Sequence, residues 1–204
     1  MMLAGIIAFV LSVSGDKVLD VCAAPGGKSF SSAFAMEDHG EIISCDLHEN
    51  KLKRIEDGAA RLGLTCITTV TADGREHRSE WEEQFDIVLA DVPCSGLGII
   101  RKKPDIRYKD PATMAQLPAL QQQILENQSR FVKPGGTLMY STCTLVREEN
   151  EGVVETFLRN NPAFSLEKLN LPEIFPENET GMLVLFPGQY DTDGFFIARM
   201  RRNL

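Results

Sequence analysis

The sequence has little that would mark a metal protein, a membrane protein or a free-standing nucleic-acid binder. Its five cysteines and three histidines form no CxxC pair and no His/Cys grouping, so zinc-ligand spacing is missing and no metal is expected. The longest apolar stretch, Leu3–Val13, is about half the length that spans a bilayer. It also lacks the basic start and small-residue cleavage site of a signal peptide. A buried helix within residues 1–16, leading into one domain over 17–204, is the expectation. Basic excess is missing too: 21 Lys and Arg face 29 Asp and Glu, a net charge of −8. Nucleic-acid-binding domains are usually basic, so either the substrate is not RNA, or the RNA grip lies partly elsewhere, or it is a local basic patch. An odd, scattered set of cysteines fits a reducing compartment, and a cytoplasmic protein without a membrane partner is expected. No internal repeat or low-complexity tract breaks the chain.

What is present is an alternation of short apolar runs with longer helical patterns. Strands are expected at Val18–Cys22, Glu41–Asp46, Thr65–Thr71, Phe85–Ala90, Thr137–Ser141, Leu183–Phe186 and Gly194–Met200. Helices are expected at Lys28–Met36, Glu49–Leu62, Thr113–Val132 and Arg147–Arg159. This order predicts an α/β fold, a mostly parallel sheet with helices on both faces. In such sheets ligands bind beyond the carboxyl ends of the strands.

The chemistry-bearing residues fall at those ends. The first strand runs into Cys22-Ala23-Ala24-Pro25-Gly26-Gly27-Lys28. Glycines there let a ligand approach the backbone, and the following helix offers free N–H groups. The segment is neither GxGxxG nor a Walker A loop, whose first Gly would fall at Cys22. Asp46, about 20 residues on, can accept hydrogen bonds from both hydroxyls of a ribose; its plainer role is a cap for the helix beginning near Glu49. Asp73 can accept from an adenine amino group, or be simply the Asp of an Asp-Gly turn.

The fourth strand ends in Asp91-Val-Pro-Cys94 and the fifth in Ser-Thr-Cys143. Adjacent strands bring both thiols to one sheet edge. A thiolate is a strong nucleophile near neutral pH once its pKa is lowered. It can add to carbon 6 of cytosine and make carbon 5 enamine-like. A carboxyl group such as Asp91 can assist at nitrogen 3. Residue chemistry leaves open which thiol attacks. Cys22, Cys45 and Cys66 sit in or beside apolar runs and read as packed core thiols.

LDVCAAPGGK, SCDLHE, TADG, ADVPCSG and STCTL occur in order, and the set resembles the Sun/RsmB group of rRNA cytosine-C5 methyltransferases, within the Nol/Nop/Sun family. The likeness extends to IRKKPDIR, REEN and DGFFIA, from Lys17 to Met200. It implies a Rossmann-like S-adenosylmethionine-dependent methyltransferase fold of about seven strands, the last antiparallel. It implies that Cys22, Ala23, Ala24, Pro25, Gly26, Gly27, Lys28, Asp46, Asp73 and Asp91 line the cofactor pocket. It also implies Cys143 as nucleophile, Cys94 as the thiol that assists adduct breakdown, and an RNA substrate, ribosomal by this likeness. Members of that group usually carry a further N-terminal RNA-binding region, which this sequence is expected to lack. The basic run Arg101, Lys102, Lys103, Arg107 and Lys109 is the candidate for phosphate contacts, against the alternative of an ordinary solvated loop. The target base should be single-stranded or flipped out. Phe195 and Phe196 could flank it, although the core is the better reading.

Overall fold

The computed structural model describes residues 12–171, 173, 175, 178–188 and 192–204. Most of the expected N-terminal helix lies outside the described residues; the part that is described, residues 12–16, is not helical. Among the described residues eight strands form one sheet: β1 Lys17–Val21, β2 Glu41–Asp46, β3 Ile67–Thr71, β4 Phe85–Asp91, β5 Val132–Thr142, β6 Phe164–Leu166, β7 Met182–Leu185 and β8 Phe195–Arg202. The order is β3-β2-β1-β4-β5-β8-β6, with β7 also paired to β8. Strands β1 to β5 pair in parallel, and β8 runs antiparallel to β5.

Seven strands were expected and eight are found. The eighth comes from a divided edge. β6 pairs with Met200–Arg202 of β8, and β7 with Phe195–Ala198, so the two lie end to end along one side of β8. They fill a single strand position, and β6 is the part without an apolar pattern long enough to read.

The helices are α1 Gly27–Ala35, α2 Glu49–Leu62, α3 Pro111–Met114, α4 Leu117–Ser129 and α5 Glu151–Asn160. Helix α2 ends at Gly63, whose φ of 69° suits a residue without Cβ. Two expected helices are corrected. Thr113–Val132 is broken into α3 and α4, because Pro118 supplies no N–H and can stand only in a helix's first turn. Its last residue, Val132, opens β5 instead. Arg147–Arg159 begins as a separate 3-10 turn, Arg147–Glu149, and α5 starts only after Asn150 with φ −110° and ψ −103°.

Alternating residues of each strand go to opposite faces. On one face Leu19, Val21, Phe85, Val88, Leu138 and Tyr140 pack with Ile124 and Leu125 of α4 and Val153, Val154 and Phe157 of α5. On the other, Val18, Ile42, Ile87, Leu89, Met139 and Ile197 pack with Ala33 and Met36 of α1. Covering both faces is what fixes the parallel ladders, since these strands are apolar on both sides. Among the described residues no helix is long and apolar enough to cross a membrane.

Candidate active site

The carboxyl ends of β1, β2, β4 and β5 converge because the parallel ladders continue past them. Ala23 N–H donates to Cys45 O at 2.7 Å, Ala72 N–H to Asp46 O at 3.1 Å, and Val92 N–H to Ser141 O at 3.1 Å. The turn after β1 holds Cys22 at φ 59° and Gly26 at φ 104°. A Cβ on Gly26 would stand 2.5 Å from the Phe30 ring, so this position excludes larger residues twice over. A Cβ on Gly27 would meet nothing within 4 Å. The two glycines differ: Gly26 makes the turn, and Gly27 faces open space. No side chain caps the first turn of α1. Beneath it Asp20 is fully buried, and its Oδ2 accepts from Ser29 Oγ at 2.6 Å. Its Oδ1 has no protein partner. Burial pushes the Asp20 carboxyl up.

Lys28 is buried and donates to Asp91 Oδ2 at 2.8 Å. Burial works against its charge, but Asp91 and then Asp20 outweigh it and hold the ammonium above its ordinary value. Asp91 Oδ1 accepts from Ser141 Oγ at 2.7 Å. Asp46, buried at the end of β2, accepts His48 N–H at 3.0 Å and Lys51 Nζ at 3.2 Å through Oδ1. Asp73 is gripped by Arg75, whose Nε donates to Oδ1 at 2.9 Å and whose Nη2 donates to Oδ2; these bonds lower its pKa. Both carboxylates keep local partners.

Cys94 and Cys143 come together, 49 residues apart in sequence, with their sulfurs 3.1 Å apart. That is a thiol–thiol contact, much longer than a disulfide bond. Cys143 N–H also donates to Cys94 Sγ at 3.3 Å. One thiol hydrogen-bonds to the other sulfur, so the two titrate as a pair. The bond from Cys94 lowers the Cys143 pKa, with a smaller contribution from Lys103, against burial and Asp91. Cys94 is pushed up, first by that same bond and then by burial. Burial, chiefly, pushes Cys22, Cys45 and Cys66 up to about 12, as befits core thiols.

Several participants went unseen in the sequence. Glu149 is buried and accepts Ser95 N–H and Gln121 Nε2, each at 2.9 Å. Ser95 Oγ meets Thr144 Oγ1 at 2.7 Å. Gly98 N–H donates to Cys143 O at 3.0 Å, and Gly194 N–H to Gly98 O at 2.8 Å. A Cβ on Gly98 would stand 2.3 Å from Gly194 O, so the two segments can touch only as glycines. Only the REEN motif hinted at this layer; Gln121 carried no signal.

The basic run is exposed just beyond Cys94, but it is partly engaged. Lys102 and Arg101 lie against Asp193, with Arg101 Nη2 at 3.6 Å. Lys109 Nζ donates to Ser95 O at 2.9 Å. Lys103 and Arg107 remain exposed at the surface. Phe196 is fully buried and Phe195 packs against the core, in line with a core role. Among the described residues no cluster of three or more His, Cys, Asp or Glu could hold a metal. A cleft of about 570 Å³ lies between Arg75, His77 and α4, and includes neither thiol.

A Rossmann-like sheet with an open glycine turn after β1 and acids at successive strand ends is the arrangement that holds a nucleoside cofactor such as S-adenosylmethionine. The residues fit that cofactor: Gly27 leaves space, Asp20 Oδ1 lacks a donor, and Asp46 is buried at a strand end. The sequence profile of the family described as 16S rRNA methyltransferase RsmB/F matches residues 8–201. The chain belongs to that family. It is 48% identical over 197 residues to a probable ribosomal RNA small subunit methyltransferase B of Bacillus subtilis, covering 93% of this chain and 44% of that protein. It is 38% identical to a ribosomal RNA small subunit methyltransferase F of Escherichia coli, covering 92% and 40%. The chain thus spans less than half the length of these curated relatives. A structure of NSun6 from Pyrococcus horikoshii with SFG, an analogue of S-adenosylmethionine, is 30% identical with a TM-score of 0.84, covering 98% of this chain and 52% of that one. A methyltransferase homologue from the same organism is 31% identical, TM-score 0.81, covering 98% and 66%.

Proposed function

We propose that this chain methylates carbon 5 of a cytosine in small-subunit ribosomal RNA, in the cytoplasm, with Cys143 as nucleophile. The observation that carries the reading is the thiol pair at the ends of β4 and β5, 3.1 Å apart, with the Asp91–Lys28 pair nearby in the fold. Two thiols so placed have no use in methylating an oxygen or an amine.

S-adenosylmethionine, when bound, supplies an electrophilic methyl group on its sulfonium. Cys22 to Lys28, Asp46, Asp73 and Asp91 would hold it. The Cys143 thiolate adds to carbon 6: the S–C6 bond forms, and the electron pair moves toward nitrogen 3 while carbon 5 becomes nucleophilic. Asp91 acts at nitrogen 3. Both its oxygens accept hydrogen bonds, so the proton that nitrogen 3 takes up is relayed from the Lys28 ammonium and returns as the adduct collapses. Once the carbon 5 proton has gone to a base, the S–C6 bond breaks and Cys143 departs as thiolate. Cys94, still protonated, hydrogen-bonds to the departing sulfur. Phosphates beside the target base would meet Lys103, Arg107, Arg101 and Lys102.

The test is transfer of labelled methyl from S-adenosylmethionine to small-subunit rRNA, with the product nucleoside identified by mass spectrometry. Cys143→Ala should abolish both methyl transfer and the covalent RNA–protein adduct; Cys94→Ala should let the adduct accumulate. An adduct formed by Cys143→Ala would refute the assignment of the nucleophile.

A second reading has its own support. The net charge is −8, and the chain spans 44% of its Bacillus relative, so it could bind cofactor while its RNA grip lies in a further region. Calorimetric binding of S-adenosylmethionine with no methyl transfer to rRNA would favour it.

A further inference from the structure

The mechanism above does not use the buried acid in the turn after Cys143. Glu149 is 2% exposed and sits in the 3-10 turn that follows Cys143. Its Oε2 accepts Ser95 N–H at 2.9 Å and Gln121 Nε2 at 2.9 Å. The same Gln121 nitrogen donates to Pro93 O at 2.9 Å. The residues on both sides of Cys94 are therefore held by one carboxylate–amide pair. The anchor is itself anchored: Tyr140 Oη donates to Glu149 O at 2.6 Å, and Tyr140 lies on β5 three residues before Cys143.

Two donors converge on a single oxygen. A charged oxygen accepts both strongly, whereas an amide in its place is a weaker acceptor or turns an NH2 toward them. An uncompensated buried carboxylate is costly, so such a group is retained only where its bonds matter. Here those bonds define where the Pro93–Ser95 turn stands relative to the Cys143 loop. The two loops also meet through Ser95 Oγ and Thr144 Oγ1 and through Cys143 N–H and Cys94 Sγ.

We propose that Glu149 is a positioning residue for the thiol pair: with Gln121 it holds the Cys94 turn so that the Cys94 thiol stays within hydrogen-bonding distance of the Cys143 sulfur. The claim rests on the reading of Cys94 and Cys143 given above, and it extends that reading to a residue that touches neither substrate nor cofactor.

The experiment has two arms on the full chain. The first follows alkylation of Cys143 by iodoacetamide against pH, read by peptide mass spectrometry, and needs no RNA. Glu149→Gln should move the profile toward higher pH, as Cys94→Ala does, because the Cys94 hydrogen bond is lost. Asp91 and Lys103, which also act on the Cys143 sulfur, are unchanged by it. The second arm measures covalent adduct with small-subunit rRNA. Glu149→Gln should raise it about tenfold over wild type, the effect of displacing a reacting group by a fraction of an ångström to an ångström. A folded Glu149→Gln with the wild-type alkylation profile and wild-type adduct level overturns the proposal. If neither wild type nor Cys94→Ala forms an adduct, the cytosine chemistry fails while the alkylation arm still decides the positioning role. Should Glu149→Gln not fold, Gln121→Met, which removes the amide donor and keeps its bulk, is read in the same way.

Discussion

The two ends of the site are built differently. On the cofactor side, Asp46 is held by His48 and Lys51, two and five residues away, and Asp73 by Arg75, two residues away. On the thiol side, Lys28 reaches Asp91 across 63 residues, Ser141 reaches it across 50, and Cys94 meets Cys143 across 49. A locally partnered acid keeps its geometry as long as its own turn is formed. A long-range pair exists only when the whole sheet is in register. The cofactor side should therefore tolerate substitutions that the thiol side does not.

The largest expected effect is on the thiol side. Asp91→Asn leaves the buried Lys28 charge with only Asp20 nearby, and should cost about 3 kcal/mol of stability in urea denaturation. A loss no greater than that of an exposed ion pair would break the contrast. Next comes Gly26→Ala, at about 1–2 kcal/mol, because the left-handed backbone and the Phe30 ring both oppose a Cβ. Gly27→Ala should fold normally but weaken S-adenosylmethionine binding in calorimetry, since its Cβ enters open space. Equal melting losses for the two glycine variants would contradict the distinction between them.

A pH effect sharpens the thiol side further. The Cys143 pKa is lowered, so its thiolate, and hence its alkylation rate, should reach a plateau at lower pH than an ordinary cysteine. Cys94→Ala removes the main cause of the lowering, and the plateau should move to higher pH. An unmoved profile would mean that Cys94 does not hydrogen-bond to Cys143 in solution. The smallest effect is expected at the surface. Lys103→Ala should weaken rRNA binding by under about 1 kcal/mol and reduce the salt slope by about one, as a single phosphate contact does.

Most of the fold could be read from the chain. The apolar runs of β1, β2 and β4 and the cap at Gly63 are local signals, and the structure follows them to within a residue or two. Misreadings arose where one residue overrode a pattern. Pro118 split a continuous helical periodicity, and the short β6 had too few residues to declare itself. Of the site, the acids and the two cysteines were legible because they end strands. Glu149 and Gln121 were not. Nothing about a Glu in an acidic REEN segment, or a Gln in a run of three, says that both turn inward to meet Pro93 and Ser95.

The sequence by itself determined the alternation of strands and helices, the glycine turn, and the placement of Asp46, Asp73, Asp91, Cys94 and Cys143 at strand ends. Each follows from backbone preference and side-chain period, which act over a few residues. Only the tertiary structure decided that the two thiols touch and that a buried carboxylate, Glu149, bonds to the turn that carries Cys94. Those outcomes depend on burial and on hydrogen bonds between segments some 50 residues apart, and neither exists until the β4–β5 ladder has formed.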